Sequence, residues 1–202
     1  MEEIIIYTDG ACKNNPGPGG YAAIIFDKDQ KKGIKGGAYD TTNNIMELTA
    51  VLEALKWVLS SSLLFKENNN AHVKVHSDSN YVVNAINNNW IKTWEEKGWK
   101  NSGGDVKNKE LWEEMLYLLD KFNQITFIKV KGHSTDKYNN LCDKYASEEA
   151  EKFKEKKEAE ETKEYIEKEE RQSDTIASLV IENSKLKNKI RLLEEEINNL
   201  KK

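Results

Sequence analysis

Ile4-Ile5-Ile6-Tyr7-Thr8-Asp9-Gly10-Ala11-Cys12-Lys13-Asn14-Asn15-Pro16-Gly17-Pro18-Gly19-Gly20 is the stretch that decides how this chain folds. The β-branched apolar run reads as a strand over residues 4–8. It leads straight to Asp9 and then into a Gly/Pro turn. The carboxylate therefore sits on or just past a strand apolar enough to be central and buried. A buried anion is costly unless something pairs with it. A hydrogen-bond network, a basic side chain or a metal ion would each serve.

Working outward, the turn at 16–20 is followed by a second strand over 21–26. A turn at 30–33 and a third strand over 34–41 complete an antiparallel meander. Residues 43–60 carry Ile45, Leu48, Leu52, Leu55 and Leu59 at helical spacing, with Thr42 or Asn43 as N-cap. A polar loop at 66–70 leads to an alternating strand over 72–76, which ends at Ser77-Asp78. Short helical patterns follow at 80–87 and from Trp90. Residues 107–122 form an amphipathic helix with Leu111, Met115, Leu118 and Phe122 on one face. A strand over 125–130, a polar loop over 132–137 and a helix from Tyr138 or Asn139 follow. This order predicts an α/β fold, a mixed sheet with helices packed on it.

The chain has 202 residues, of which 38% are hydrophobic and 33% charged, and a formal net charge of −4. Residues 1–146 hold 18 Lys and Arg against 19 Asp and Glu, so no global basic footprint for nucleic acid exists. Cys12 and Cys142 fit a reduced, cytoplasmic protein and read as small buried hydrophobes. The N-terminal apolar run is too short for a signal peptide, and no segment is long enough to span a membrane.

Four acids stand out by position: Asp9 on the first strand, Glu47 off the Leu stripe of its helix, Asp78 at a strand's C-terminal end, and Asp143 early in the last helix. Taken singly, Asp78 reads as an N-cap, Asp143 as a first-turn dipole partner and Glu47 as a solvated helix residue. Taken together they match a pattern. Tyr7-Thr8-Asp9-Gly10, then Thr41-Thr42-Asn43-Asn44-Ile45-Met46-Glu47-Leu48, then Ser77-Asp78-Ser79-Asn80-Tyr81, then Val130-Lys131-Gly132-His133 with Asp143 resemble type 1 ribonuclease H, in family order over residues 1–146.

The resemblance implies a ribonuclease H-like five-stranded mixed sheet. It also implies hydrolysis of the RNA strand of RNA–DNA hybrids by a two-metal mechanism that leaves 5′-phosphate and 3′-hydroxyl ends. Asp9, Glu47, Asp78 and Asp143 would hold two Mg²⁺ ions, with Mn²⁺ as an alternative. Mg²⁺ prefers a few carboxylates plus waters and substrate phosphate, and few Lys or Arg lie beside these motifs to neutralise them. His133 would assist proton transfer or product departure. Asn15, Asn43 and Asn44 match positions that contact the RNA strand, where an amide both donates to and accepts from a 2′-hydroxyl. Asn80 stands where the family often has Gln. Thr42 and Asn108 match a pocket for a DNA-strand phosphate, and Tyr81, Trp90 and Trp94 an aromatic surface beside that strand. Two competing readings are a DNA nuclease on the same fold and an inactive domain serving as a coiled-coil adaptor.

One departure concerns the basic protrusion of many bacterial relatives. Here Lys92, Lys97, Lys100 and Lys107 are diluted by Glu95, Glu96 and Asp105. Hybrid affinity from this element is expected to be weaker and less salt-sensitive than in a Lys-rich version.

From Ser147 the chain has no Gly, Pro or Trp. Residues 147–175 mix Glu and Lys and read as a charged helical linker. Over 176–202, Ile176, Asn183, Ile190 and Ile197 fall at seven-residue steps, and Leu179, Leu186, Leu193 and Leu200 do so three residues later. Ile at a, Leu at d and one Asn at a favour a parallel two-stranded coiled coil. In a parallel homodimer Glu182 meets Lys187, Lys189 meets Glu194 and Glu196 meets Lys201, all attractive. Each pair is weak, but the signs select orientation.

Overall fold

The opening apolar run forms β1 (Glu3–Cys12), the middle strand of a five-stranded sheet. β2 (Gly17–Asp27) and β3 (Gln30–Thr41) follow as an antiparallel meander. After α1 (Asn43–Ser61) and the short α2 (Leu63–Glu67), β4 (His72–Ser77) pairs parallel to β1. α3 (Asn80–Asn87) and α4 (Trp90–Glu96) precede a small hairpin, β5 (Lys100–Asn101) with β6 (Gly104–Asp105). α5 (Lys109–Leu119) leads to β7 (Ile125–Lys129), parallel to β4, and α6 (Lys137–Leu200) follows. The sheet order is β3-β2-β1-β4-β7, mixed and flanked by helices as the sequence implies. This computed structural model describes residues 2–67, 71–132 and 135–200, with side chains to residue 195.

Period-two alternation sorts the central side chains to two faces. Ile4, Ile6, Ala23 and Ile25 meet Leu48, Leu52 and Leu55 of α1 and Trp112 and Met115 of α5. Ala22 and Ile24 meet Cys142 and Ala146 of α6 on the other face. Each fully buried Ile or Leu contributes about 1.5–3 kcal/mol. Glu47 shares α1 with Val51 and Ala54, which are themselves buried.

Several boundaries differ from the sequence expectation. The meander turn is Lys28-Asp29, two residues, rather than 30–33, because Asp27 already pairs with Gln30. β2 starts at Gly17, inside the expected Gly/Pro turn. Its glycines serve close packing: a Cβ on Gly20 would lie 2.3 Å from the Ala146 carbonyl oxygen of α6. α2 occupies part of the expected polar loop, and Asp27 caps it by accepting from the Leu63 and Leu64 N–H groups at 2.8 and 3.2 Å. α5 begins only at Lys109, since Asn108 before it is left-handed at φ 58°.

The chain forms two compact units, Met1–Lys157 and Glu158–Lys202. In the first, α6 stays on the sheet beyond residue 146. Buried Glu149 pairs with Lys35 at 2.9 Å and Lys152 at 2.8 Å, Lys157 pairs with Asp40 at 2.6 Å, and Phe153 packs edge-on against Tyr39. The second unit is helical through Leu200, and its apolar side chains with described positions are exposed. Among the described residues, no helix is long and apolar enough to cross a membrane.

Candidate active site

Alternation along β1 points Ile4, Ile6 and Thr8 toward α1 and leaves Asp9 on the face that α6 covers. Asp9 is 8% exposed. Gly10 then lets α1 approach the strand: a Cβ there would lie 2.3 Å from the Glu47 backbone nitrogen. That close crossing sets Glu47 beside Asp9. Asp78 follows the last residue of β4, and Asp143 lies two turns into α6. All four line one cleft of about 370 Å³, together with Asn43 and Lys13.

Hydrogen bonds hold Asp9, Glu47 and Asp78 in place. Asp9 Oδ1 accepts from the Gly10 N–H at 2.7 Å. Glu47 accepts from Asn43 Nδ2 at 3.0 Å and from the Ser79 hydroxyl at 2.5 Å. Asp78 Oδ2 accepts from Asn139 Nδ2 at 3.1 Å, and the Lys129 ammonium donates to the Asp78 carbonyl. Gly132 runs against Asp78, where a Cβ would lie 2.5 Å from its Oδ2. His133, the next residue, lies outside the described residues.

The electrostatics are those of crowded like charges. Burial, with the charges of Asp78, Asp143 and Glu47, pushes the Asp9 carboxyl up to about 8. Burial also raises Glu47, opposed by the Ser79 hydrogen bond and the Lys129 charge. Among the described residues, no three His, Cys, Asp or Glu side chains are arranged closely enough to hold a metal ion as they stand. The donor set nevertheless suits a hard divalent cation: four carboxylates on one cleft, the most buried of them unable to ionise cheaply without a countercharge.

The expected substrate residues fall into two groups. Asn15 Oδ1 accepts the Asn43 backbone N–H at 3.1 Å, at the first turn of α1, so Asn15, Asn43 and Glu47 form one hydrogen-bonded chain. Thr42 is the N-cap, accepting from the Ile45 N–H at 3.3 Å, and Asn44 is exposed beside it. The second group surrounds the Tyr81 hydroxyl. It accepts from Asn108 Nδ2 at 3.1 Å and Trp112 Nε1 at 3.0 Å. Trp94 packs edge-on against Trp112, and Trp90, 43% exposed, lies 6.3 Å from Trp94 between ring centroids. Asn80 is exposed at the start of α3.

Sequence reasoning gave no role to Ser79, Asn139 or Lys129. Ser79 carried a signal, since a serine directly before a helical pattern is an N-cap, and it does accept from the Val82 N–H at 3.2 Å. Asn139 and Lys129 act only through tertiary approach and left no local trace. Both cysteines are free. Cys142 donates to the Tyr7 carbonyl, and burial pushes both thiols up, as for inert packing groups.

The RNase H family model matches residues 1–151. A ribonuclease H of Caldicellulosiruptor saccharolyticus is 51% identical over 147 residues, which is 72% of this chain and 94% of that protein. Among solved structures, LC9-RNase H1, described as a type 1 RNase H with the type 2 active-site motif, superposes with a TM-score of 0.62 at 22% identity, over 74% of this chain and 72% of that one. LC11-RNase H1, solved in complex with an RNA/DNA hybrid, superposes with a TM-score of 0.53 at 20% identity, over 72% of this chain and 98% of that one. Identity at this level over nearly a whole relative, with the family model matched over residues 1–151, makes this chain a type 1 member of the ribonuclease H family.

Proposed function

We propose that the protein hydrolyses the RNA strand of RNA–DNA hybrids, with Asp9, Glu47, Asp78 and Asp143 as ligands of two Mg²⁺ ions, or of Mn²⁺ in their place. The observation that carries this reading is the convergence of four carboxylates, from β1, α1, the end of β4 and α6, on one cleft beside the Asn15–Asn43–Glu47 hydrogen-bonded chain. Four acids gathered in one cleft repel one another when ionised, and divalent cations would supply the countercharge. When bound, a pair of divalent ions eases deprotonation of water and stabilises an oxygen leaving group.

The chain's own groups would do the rest. Water adds to the phosphorus, the P–O3′ bond breaks, and the RNA is left with 5′-phosphate and 3′-hydroxyl ends. The 3′ oxygen takes up a proton, and His133 is assigned to proton transfer or product departure. Asn15, Asn43 and Asn44 gather at the first turn of α1 beside Glu47, which suits reading of 2′-hydroxyls. Tyr81, Trp90 and Trp94, with Asn80, Asn108 and Thr42, are assigned to the DNA strand; the exposed Trp90 ring and the Tyr81–Asn108 bond support this. Ser79 and Asn139 orient Glu47 and Asp78.

Residues 1–146 carry the chemistry, 147–175 connect while bracing the sheet as far as Lys157, and 176–202 join two copies through a parallel coiled coil. Two free thiols agree with action in the cytoplasm. The test is incubation with Mg²⁺ or Mn²⁺ and labelled hybrid, RNA duplex and DNA duplex, with analysis of product ends. Cutting confined to the RNA of the hybrid, leaving 5′-phosphates, is expected. Cutting of DNA alone, or of nothing, overturns the reading.

A further inference from the structure

Ile176, Leu179, Leu186, Ile190 and Leu193 are each at least 48% exposed, on one face of the second unit's helix. Ile197 and Leu200 continue the same spacing in sequence, and their side chains lie outside the described residues. Five large apolar side chains in one stripe form a contact surface, not ordinary surface scatter. Their seven-residue repeat fits a two-stranded seam. The matched ribonuclease H of Caldicellulosiruptor is covered over 94% of its length by only 72% of this chain, so most of this segment has no counterpart in it.

The occupant of the seam is a second copy of the chain. Asn183 sits at an a position, where its amide meets an identical amide only when two helices are parallel and in register. Any shift by a heptad sets it against Ile176 or Ile190 and strands a polar group in the seam. The flanking charges select the same arrangement: Glu182 faces Lys187 and Lys189 faces Glu194 across a parallel pair. Val180, at e, borders the seam. Ile181 and Leu192, at f and c, lie off it, and the two-stranded arrangement does not cover them.

We propose that this zipper makes the enzyme bivalent, so that it selects hybrids long enough to engage two catalytic units at once. The inference rests on the hybrid-hydrolysis reading above. Lys92, Lys97 and Lys100 share their surface segment with Glu95 and Glu96, all exposed, so this element gives a single unit little net positive charge to spend on phosphates. Joining two such units turns the second binding event into an intramolecular one, which raises avidity roughly 10²–10⁴-fold without any new contact. A short hybrid that accommodates one unit gains nothing.

The experiment uses full-length protein carrying Asp9→Asn, so that bound hybrid is not cut. Seam breaking by Leu186→Glu with Leu193→Glu, charge reversal by Lys189→Glu, and its compensation by Lys189→Glu with Glu194→Lys are compared with the parent. Sedimentation gives the oligomeric state; titration with a one-site hybrid and with one several times longer gives binding. The parent is expected to be a dimer that binds the long hybrid at least about 10-fold more tightly than the seam-broken protein does, with equal binding of the short one. Lys189→Glu weakens the dimer and the double exchange restores it. A parent that sediments as a monomer at tens of micromolar overturns the zipper. An undiminished Lys189→Glu dimer overturns the parallel register. A dimer that binds long hybrid no better than the seam-broken monomer overturns bivalence and leaves the dimer standing. Failure of every form to bind any hybrid overturns the hydrolysis reading instead, and sedimentation still decides the zipper.

Discussion

Asp9 carries the largest electrostatic burden of any residue in the site. Its carboxyl keeps a proton to about pH 8 in the folded chain, whereas an unfolded chain releases it near 3.9. Between those values the native state holds the extra proton, so stability falls as pH rises from about 4 to about 8 and is flat above. Asp9→Asn removes the group that is costly to ionise. Without divalent cations this variant is expected to gain on the order of 2 kcal/mol at pH 8, a rise of several degrees in melting temperature, and to lose that advantage as pH falls toward 4. A calorimetric scan across pH checks it; equal or lower melting of the variant at pH 8 would mean that the burden is misjudged. Ser79 offers a second test. Its hydroxyl both caps α3 and donates to Glu47. Ser79→Ala is expected to cost about 1 kcal/mol of stability through the cap and roughly tenfold in activity through Glu47, while Ser79→Thr stays near the parent in both. That the four acids share one cleft could be expected only from the resemblance of four motifs in order, since Glu47, Asp78 and Asp143 taken singly read as ordinary helix and cap residues. Ser79's second bond and Asn139 were not legible even so, because both depend on α3 and α6 converging from distant parts of the sequence.

Element boundaries followed the sequence where periodicity was strong and tertiary demands were weak. α3 spans Asn80–Asn87 and α1 Asn43–Ser61, within a residue of expectation, because caps and apolar spacing agree there. The Gly/Pro stretch after Asp9 did not follow. Gly17, Gly19 and Gly20 have poor strand propensity, yet they lie in β2 because a Cβ would strike the Lys13 carbonyl at Gly17, Met46 of α1 at Gly19 and the α6 backbone at Gly20. α2 and the β5–β6 hairpin are too short for any periodic signal. In the proposed zipper, Asn183 would trade stability for a single arrangement. Asn183→Leu is expected to raise the melting temperature of the zipper by circular dichroism and to replace a single dimer by mixed oligomers in sedimentation. A variant that melts lower and stays a uniform dimer would show that Asn183 does not sit in the seam.

At the scale of the whole molecule the sequence divides labour plainly: a core-forming segment that holds the carboxylates, then a charged helical segment whose apolar stripe is exposed. The first was legible through four motifs in order, and the second through a heptad repeat read against its charges. What no sequence pattern supplied was the reach of the first unit to Lys157, which depends on Glu149, Phe153 and Lys157 finding Lys35, Tyr39 and Asp40 on β3. The proposed activity rests on the carboxylate cleft being a cation-dependent centre for cutting RNA. The most direct test is a Mg²⁺ titration of hybrid cleavage, RNA strand labelled, for the full-length protein and for Asp9→Asn. Mg²⁺-dependent cutting of the RNA strand is expected from the parent and none from the variant at any concentration. Cleavage that proceeds in chelator, or that survives the loss of Asp9, would contradict it.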